Sequence, residues 1–256
     1  MGFYDLDKEQ RDLIVDKIRN DIHDELINNK IEKTTTYFSD SDTYIRKAAY
    51  LSIGKIFNAN KDLHQKIISM LDMLFLSDIY YIRQTVINSC GEIGLKDFSI
   101  IEALLKKALF DEHHAVRNAV IGALKKIIEK NPKPSLVFAK RYLLHTDKEI
   151  RREICHGLEL RGRKYPQDIL PLLKELQYEK TARVRNMLIH VIGQIAYKKG
   201  CLSVVAADLI GWENKALVKE AVDEIILVHD SYKNFAALTQ QQAIDYLASV
   251  FDKHKD

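Results

Sequence analysis

The sequence predicts an all-α fold, a right-handed α-α superhelix of about six helical hairpins with a capping helix at each end. Three observations predict it: a basic residue that recurs at nearly constant spacing, apolar columns at helical offsets from that base, and capping signals near both termini. One hairpin cannot bury its apolar face alone, so consecutive hairpins must stack. The prediction is one domain over residues 1–256, with an N-terminal cap at 1–29, six repeats at 30–229 and a C-terminal cap at 230–256.

The recurring base marks the second helix of each hairpin. Successive copies are separated by 37, 34, 34, 34 and 34 residues. We expect these residues to form a structural ladder that bonds turn acceptors and backbone within and between repeats. The six ladder bases are Arg46, Arg83, Arg117, Arg151, Arg185 and Lys219.

Apolar residues stand one before, three after and seven after each base, which is one stripe of an α-helix. In the third repeat, for example, they are Val116, Val120 and Leu124. A first helix is predicted upstream of each base, where two further apolar columns stand nine and seven residues before it. The column at minus seven is expected to pack between helices, and its members are Leu76, Phe110, Leu144, Tyr178 and Trp212.

Capping signals delimit the array. Asp7 with Gln10, and Thr239 with Gln242, have the spacing of reciprocal helix N-caps. Pro132 and Pro134 are expected to punctuate the turn between the third and fourth repeats, because the register continues across them.

With this repeat in place, the chain resembles the HEAT family of α-helical repeats from about Lys30 to about His229. The best copies are the segment DILPLL at 168–173 followed by ARVR at 182–185, and the segment DKEIRR at 147–152. The chain departs from the family pattern in having only Pro171 at the first-helix proline position and Lys219 in place of arginine. The resemblance implies a curved HEAT-like solenoid whose second helices line the inner surface, and mostly a role as a binding scaffold.

A narrower resemblance is to HEAT-like bacterial DNA alkylation repair proteins. That group, as the resemblance implies, places lysine and arginine on DNA phosphates and uses exposed aromatic residues and an acid near the lesion. The basic central repeats fit the first property. The only tryptophan, Trp212, stands in a packing column, so base excision itself does not carry over.

The formal charge of +3 hides an asymmetry along the chain. Residues 117–200 hold 19 Lys and Arg against 8 Asp and Glu, a net charge of +11, which leaves −8 for the rest. Such polarity can steer an anionic partner toward one stretch of the array.

The columns one, five and nine after each base are expected to line the concave inner face. The leading hypothesis is a non-catalytic scaffold that binds a protein or peptide there. The alternative is nucleic-acid binding through phosphate contacts in the central repeats, which predicts steep salt dependence. The expected partner-binding residues are Lys47, Lys55, Asn88, Asn118, Lys126, Arg152, His156, Asn186, His190 and Gln194.

A row formed by His156, His190 and Glu224 offers donors for a metal or a shared proton. Residues 34 apart need not point at one centre, so the sequence predicts no metal site and no cofactor. Cys155 and His156 diverge by about 100° on a helix and do not form a catalytic pair. No phosphate loop or nucleophile motif is present, and a tetrapyrrole lyase or carrier, as some HEAT-like proteins are, has no dedicated motif either.

No apolar run is long enough to span a bilayer, and the N-terminus lacks the order of a signal peptide. The three cysteines, Cys90, Cys155 and Cys201, show no close pairing, which favours a reducing compartment. The expectation is a cytoplasmic monomer.

Overall fold

The computed structural model describes residues 2–254, and no strand occurs among them. The predicted all-α fold class is confirmed. The chain divides into two compact units, Met1–Pro134 and Ser135–Asp256. No helix within residues 2–254 has both the length and the apolar character that crossing a membrane requires.

Unit 1 contains an N-terminal helix followed by three helical hairpins. In each hairpin a first helix is followed by a second helix, and α3, α5 and α7 pack side by side, with α1 against α3. The helices are α1 (Lys8–Asn28), α2 (Glu32–Ser39), α3 (Thr43–Ala59), α4 (His64–Leu74), α5 (Tyr80–Ile93), α6 (Glu102–Leu109) and α7 (His114–Lys130).

Unit 2 repeats this plan. The second helices α9, α12 and α14 pack in sequence, and α15 covers α14. Its helices, of which the first begins just before the unit boundary, are α8 (Pro132–Leu143), α9 (Lys148–Gly157), α10 (Glu159–Gly162), α11 (Pro166–Lys174), α12 (Ala182–Ala196), α13 (Cys201–Ile210), α14 (Lys215–Ser231) and α15 (Gln240–Phe251).

The apolar stripe of the second helices forms the core of each unit. Its residues are buried except for Ile45, Val222 and Ile226, which are half-buried. The last two line an apolar groove between α14 and α15, where the array ends. Removal of this stripe from water is the main stabilising contribution to each unit.

The column at minus seven departs from its expected role. Four of its five residues are exposed, and Leu76 is 79% exposed and Tyr178 63% exposed. They stand one to four residues past the end of a first helix, in the turn, where α-helical offsets no longer apply. Only Trp212 is packed as expected, with 0% exposure.

The prediction that Pro132 and Pro134 lie in a turn is wrong. Both belong to the first turn of α8, which begins at Pro132. A proline is tolerated there because the first amides of a helix have no intrahelical acceptor.

The terminal capping signals are confirmed. The Asp7 carboxylate accepts from the Gln10 amide at 2.8 Å, and the Gln10 side chain accepts from the Asp7 amide at 3.2 Å. Thr239 and Gln242 make the same reciprocal pair at the start of α15. Each pair satisfies two helix-end amides.

The ladder arginines fix the turns inside the hairpins. Nη1 of Arg83 donates to the carbonyls of Ser77 (2.8 Å) and Asp78 (3.2 Å). Arg46, Arg117 and Arg151 bond the carbonyls six and five residues upstream in the same way. These bonds satisfy backbone carbonyls in the turn between the first and second helix of each hairpin.

Two of the ladder arginines also pair with the following turn of their own unit. Arg83 forms a two-pronged pair with Asp111, and Arg151 forms one with Glu179, with a shortest distance of 2.6 Å. The last two ladder positions differ. Arg185 pairs with Glu220 on α14, and Lys219 is exposed and lines the groove beside α15.

We expect the pair between Arg151 and Glu179 to make stability pH-dependent. Arg151 hydrogen bonding lowers the pKa of Glu179 from 4.5 to about 2. A carboxyl whose pKa is depressed by folding stabilises the protein above its unfolded pKa, and this contribution is lost as pH falls toward the folded value. Glu179→Gln should therefore be less stable than the parent at pH 7, and the difference should shrink between about pH 4.5 and pH 2.

Urea midpoints at a series of pH values measure this difference. The parent and the Glu179→Gln variant should converge in acid, where the parent carboxyl is protonated and resembles the amide. A difference that stays constant across the range would contradict a role for the ionised carboxylate.

Candidate functional site

The second helices of unit 1 carry a marked excess of positive charge. Apart from the ladder arginines, α3, α5 and α7 hold five lysines and two acids. The lysines are Lys47, Lys55, Lys125, Lys126 and Lys130, and the acids are Glu92 and Glu129.

Four of the expected binding residues form a polar surface here, which we call the basic face: Lys47, Lys55, Asn118 and Lys126. All four are exposed. On α7, a Cβ at the neighbouring position Gly122 would meet nothing within 4 Å, so the surface around it is open. Asn88, on α5, is half-buried.

Lys126 connects this surface to the other two second helices. Its Nζ lies 2.7 Å from Glu92 Oε1 on α5 and 5.5 Å from the ring centre of Tyr50 on α3. Burial raises the pKa of the Tyr50 phenol above its ordinary value. The contact holds Lys126 in place while 46% of its side chain remains exposed. Tyr50 was not among the expected residues, although it stands four after the ladder base Arg46.

Many bases in the unit 2 part of the basic stretch are paired with acids in the folded protein. Eight of its bases have a carboxylate within 4 Å, and two of the acceptors, Glu213 and Glu220, lie on later parts of the chain. Glu213 and Glu220 come from outside the basic stretch. The paired bases are Lys140, Arg151, Arg152, Arg161, Arg163, Lys174, Arg183 and Arg185.

Among the expected binding residues of unit 2, Arg152 is half-buried and lies 3.3 Å from Glu149. Gln194 is 2% exposed and accepts a hydrogen bond from Arg163. Asn186 is exposed on α12. Of these three residues, only Asn186 presents an exposed side chain.

His156 and His190 come together in unit 2, which their sequence separation did not predict. Their ring centres are 6.0 Å apart in an edge-on arrangement. His156 Nε2 lies 3.1 Å from Glu159 Oε2, and His190 Nδ1 lies 3.7 Å from Glu224 Oε1. We call these four residues the histidine cluster. Sequence reasoning missed Glu159, although it stands three after His156 and therefore on the same helical side.

Two other candidates are structural. Cys155 is buried, and burial raises the pKa of its thiol, so it is not an activated nucleophile. Trp212 is fully buried and its Nε1 donates to Asp208 Oδ2 at 2.7 Å. The only tryptophan is thus part of the core of unit 2.

Comparison with known proteins bears on the fold. The sequence matches no known protein family and no curated protein. Among solved structures, the chain is similar to AlkD2 from Streptococcus mutans, with a TM-score of 0.57 and 18% sequence identity, covering 75% of this chain and 95% of that one. It is also similar to smu.31 from Streptococcus mutans UA159, with a TM-score of 0.49 and 18% identity over 69% of this chain and 97% of that one. At this identity the comparison shows that the chain shares the helical fold of AlkD2 over about three quarters of its length.

Proposed function

We propose that this protein binds nucleic acid through the basic face of unit 1, as a HEAT-repeat protein related to the DNA alkylation repair proteins that the sequence resembles. Two lines of support are independent of each other. The repeat pattern carries the resemblance, and the fold is shared with AlkD2.

The observation that carries the proposal is the exposed positive charge on the second helices of unit 1, above all that of Lys47 and Lys55 on α3. Lys47 and Lys55 stand eight residues apart on α3, about 80° around the helix, so they reach the same side. Lys126 adds a third ammonium group on α7, which is paired with Glu92 but 46% exposed. Binding to nucleic acid comes mainly from neutralising backbone phosphates, which needs such a surface and no sequence-specific chemistry.

The proposal shifts the expected contact from the central repeats to unit 1. Arg152 was expected to contact phosphate, but it is already paired with Glu149. A phosphate would have to replace that carboxylate, whereas Lys47 and Lys55 are exposed and need no such exchange.

Anisotropy titrations with a labelled 20-base-pair duplex, repeated at several salt concentrations, test this function. Each phosphate contact contributes about 0.9 to the slope of log Kobs against log salt for duplex DNA. We expect the double variant Lys47→Ala with Lys55→Ala to bind more weakly and to lower the slope by about 2.

The matched control removes two exposed lysines from the first-helix side of unit 1, Lys61 and Lys106. This variant has the same net charge as the first, so it should keep the parental slope. No binding in low salt, or an equal loss of slope in both variants, would overturn the proposal.

A second candidate, a protein-binding scaffold, is favoured by the exposed apolar side chains in the turns of unit 1. Leu76 is 79% exposed and Phe110 53% exposed, at equivalent positions of consecutive hairpins. Exposed apolar residues in a regular row are typical of protein contact surfaces. Affinity capture should then recover a defined protein partner. The double variant Leu76→Ser with Phe110→Ser should fail to bind this partner, whereas the double variant Lys47→Ala with Lys55→Ala should still bind it.

A further inference from the structure

The histidine cluster has the composition and spacing of a metal site. One donor atom from each of His156, Glu159 and His190 lies within 4.8 Å of the other two. The three residues come from α9, α10 and α12, so the juxtaposition is made by packing of consecutive hairpins. Glu224, on α14, is not one of these three donors, but its Oε1 lies 3.7 Å from His190 Nδ1 and can orient the imidazole of His190.

We propose that the histidine cluster binds a divalent first-row metal ion, of which Zn²⁺ is the reference case. Two imidazoles and a carboxylate are a common zinc donor set. Tetrahedral zinc with bonds of about 2.0–2.1 Å places its donors roughly 3.4 Å apart, so the side chains must rotate to move the donor atoms closer by about 1 Å.

Charge in the cluster suits a cation. Glu159 and Glu224 place two carboxylates beside the two histidines, and Arg163 pairs with Glu159. Glu159 is 4% exposed, and a carboxylate removed from water attracts a cation more strongly than an exposed one does.

Arg163 acts as a positioning residue in this site. Its Nη2 lies 2.5 Å from Glu159 Oε1, which leaves Oε2 directed at His156. Arg163 is held in turn by the side chain and backbone oxygens of Gln194. Partners of this kind fix the orientation of ligands and typically change metal affinity 10–100-fold.

Partial exposure leaves the site accessible to a metal ion. The side chain of His190 is 40% exposed and that of His156 23% exposed. The ion would therefore join two consecutive hairpins at the surface of unit 2, and it would stabilise the folded state more as its free concentration rises.

Calorimetric titration of the chelator-treated full-length chain with ZnCl₂ tests the proposal. We expect one Zn²⁺ per chain, with affinity weakened at least tenfold in His156→Ala and in His190→Ala. Arg163→Met should weaken binding about 10–100-fold without changing the stoichiometry. Co²⁺ substitution adds a spectroscopic readout, since a three- or four-donor site with imidazole ligands gives a visible absorption band that His190→Ala should abolish.

The control is His23→Ala, which removes another half-buried histidine that lies beside a carboxylate, at 3.9 Å from Asp24 in unit 1. It should bind Zn²⁺ like the parent, and circular dichroism should show that all variants fold. Absence of Zn²⁺ binding, or binding that survives in both His156→Ala and His190→Ala, would overturn the proposal. Because the basic face lies in the other unit, the same variants should retain duplex binding, so this outcome is separate from that of the proposed function.

Discussion

Replacing Arg83 with methionine should lower the free energy of unfolding by about 3–5 kcal/mol, the cost of breaking a buried ion pair from one side. The side chains of Arg83 and Asp111 are 9% and 6% exposed and meet through two hydrogen bonds of 2.8 and 3.0 Å. Without the guanidinium, the Asp111 carboxylate stays buried without its counter-ion. The carbonyls of Ser77 and Asp78 also lose their donor.

Arg185→Met provides the matched control, because Arg185 occupies the same ladder column. Its pair with Glu220 has similar bonds, of 3.0 and 2.7 Å, but side-chain exposures of 23% and 49%. A pair in contact with water contributes about 0–1 kcal/mol. Urea unfolding followed by circular dichroism measures both variants. Equal shifts in midpoint would mean that burial does not decide the strength of these pairs.

Truncation of Trp212 to alanine should cost about 3–5 kcal/mol, the range for deleting a fully buried aromatic side chain. The indole has 0% exposure and also satisfies Asp208. Its loss leaves a cavity in unit 2 and a carboxylate without its donor. Trp212→Phe should be milder, since the ring still fills most of the space and mainly the hydrogen bond is lost.

Tyr178→Ala is the control, because Tyr178 stands at the equivalent position of the preceding repeat but is exposed. Tyr178 is 63% exposed, and substitutions on the surface usually change stability by less than about 0.5 kcal/mol. Thermal unfolding followed by circular dichroism compares Trp212→Ala with Tyr178→Ala. Tryptophan fluorescence is unsuitable because the Trp212 variant lacks the only tryptophan. A large effect at Tyr178, or a small one at Trp212, would contradict the packing that the structure assigns to this column.

The residues seven before each ladder base show where a helical sequence pattern stops predicting burial. Leu76, Phe110, Leu144 and Tyr178 stand at the offset of Trp212 from the ladder base, yet only Trp212 is packed. A helical offset predicts burial only while the residue is helical. In the turn, side-chain direction depends on the local backbone and on which element lies above it.

The candidate sites show a similar division. The exposed lysines Lys47, Lys55 and Lys126 were identified from their offsets. In a regular helix, the positions of the buried stripe also determine which positions face solvent. The histidine cluster was identified only in part. Its row was visible, but the meeting of His156 with His190 depends on the rotation and distance of α9 and α12.

By itself the sequence determined the helical repeat, its hairpin register, the buried stripe and the two capping boxes. These follow from periodicity and from hydrogen bonds between residues close in the chain, which are local properties. Only the tertiary structure decided which charges remain free and which donors converge. Ion pairs such as Arg185 with Glu220 and contacts such as His156 with His190 join residues about 35 positions apart, and only the packing of consecutive helices sets their distances.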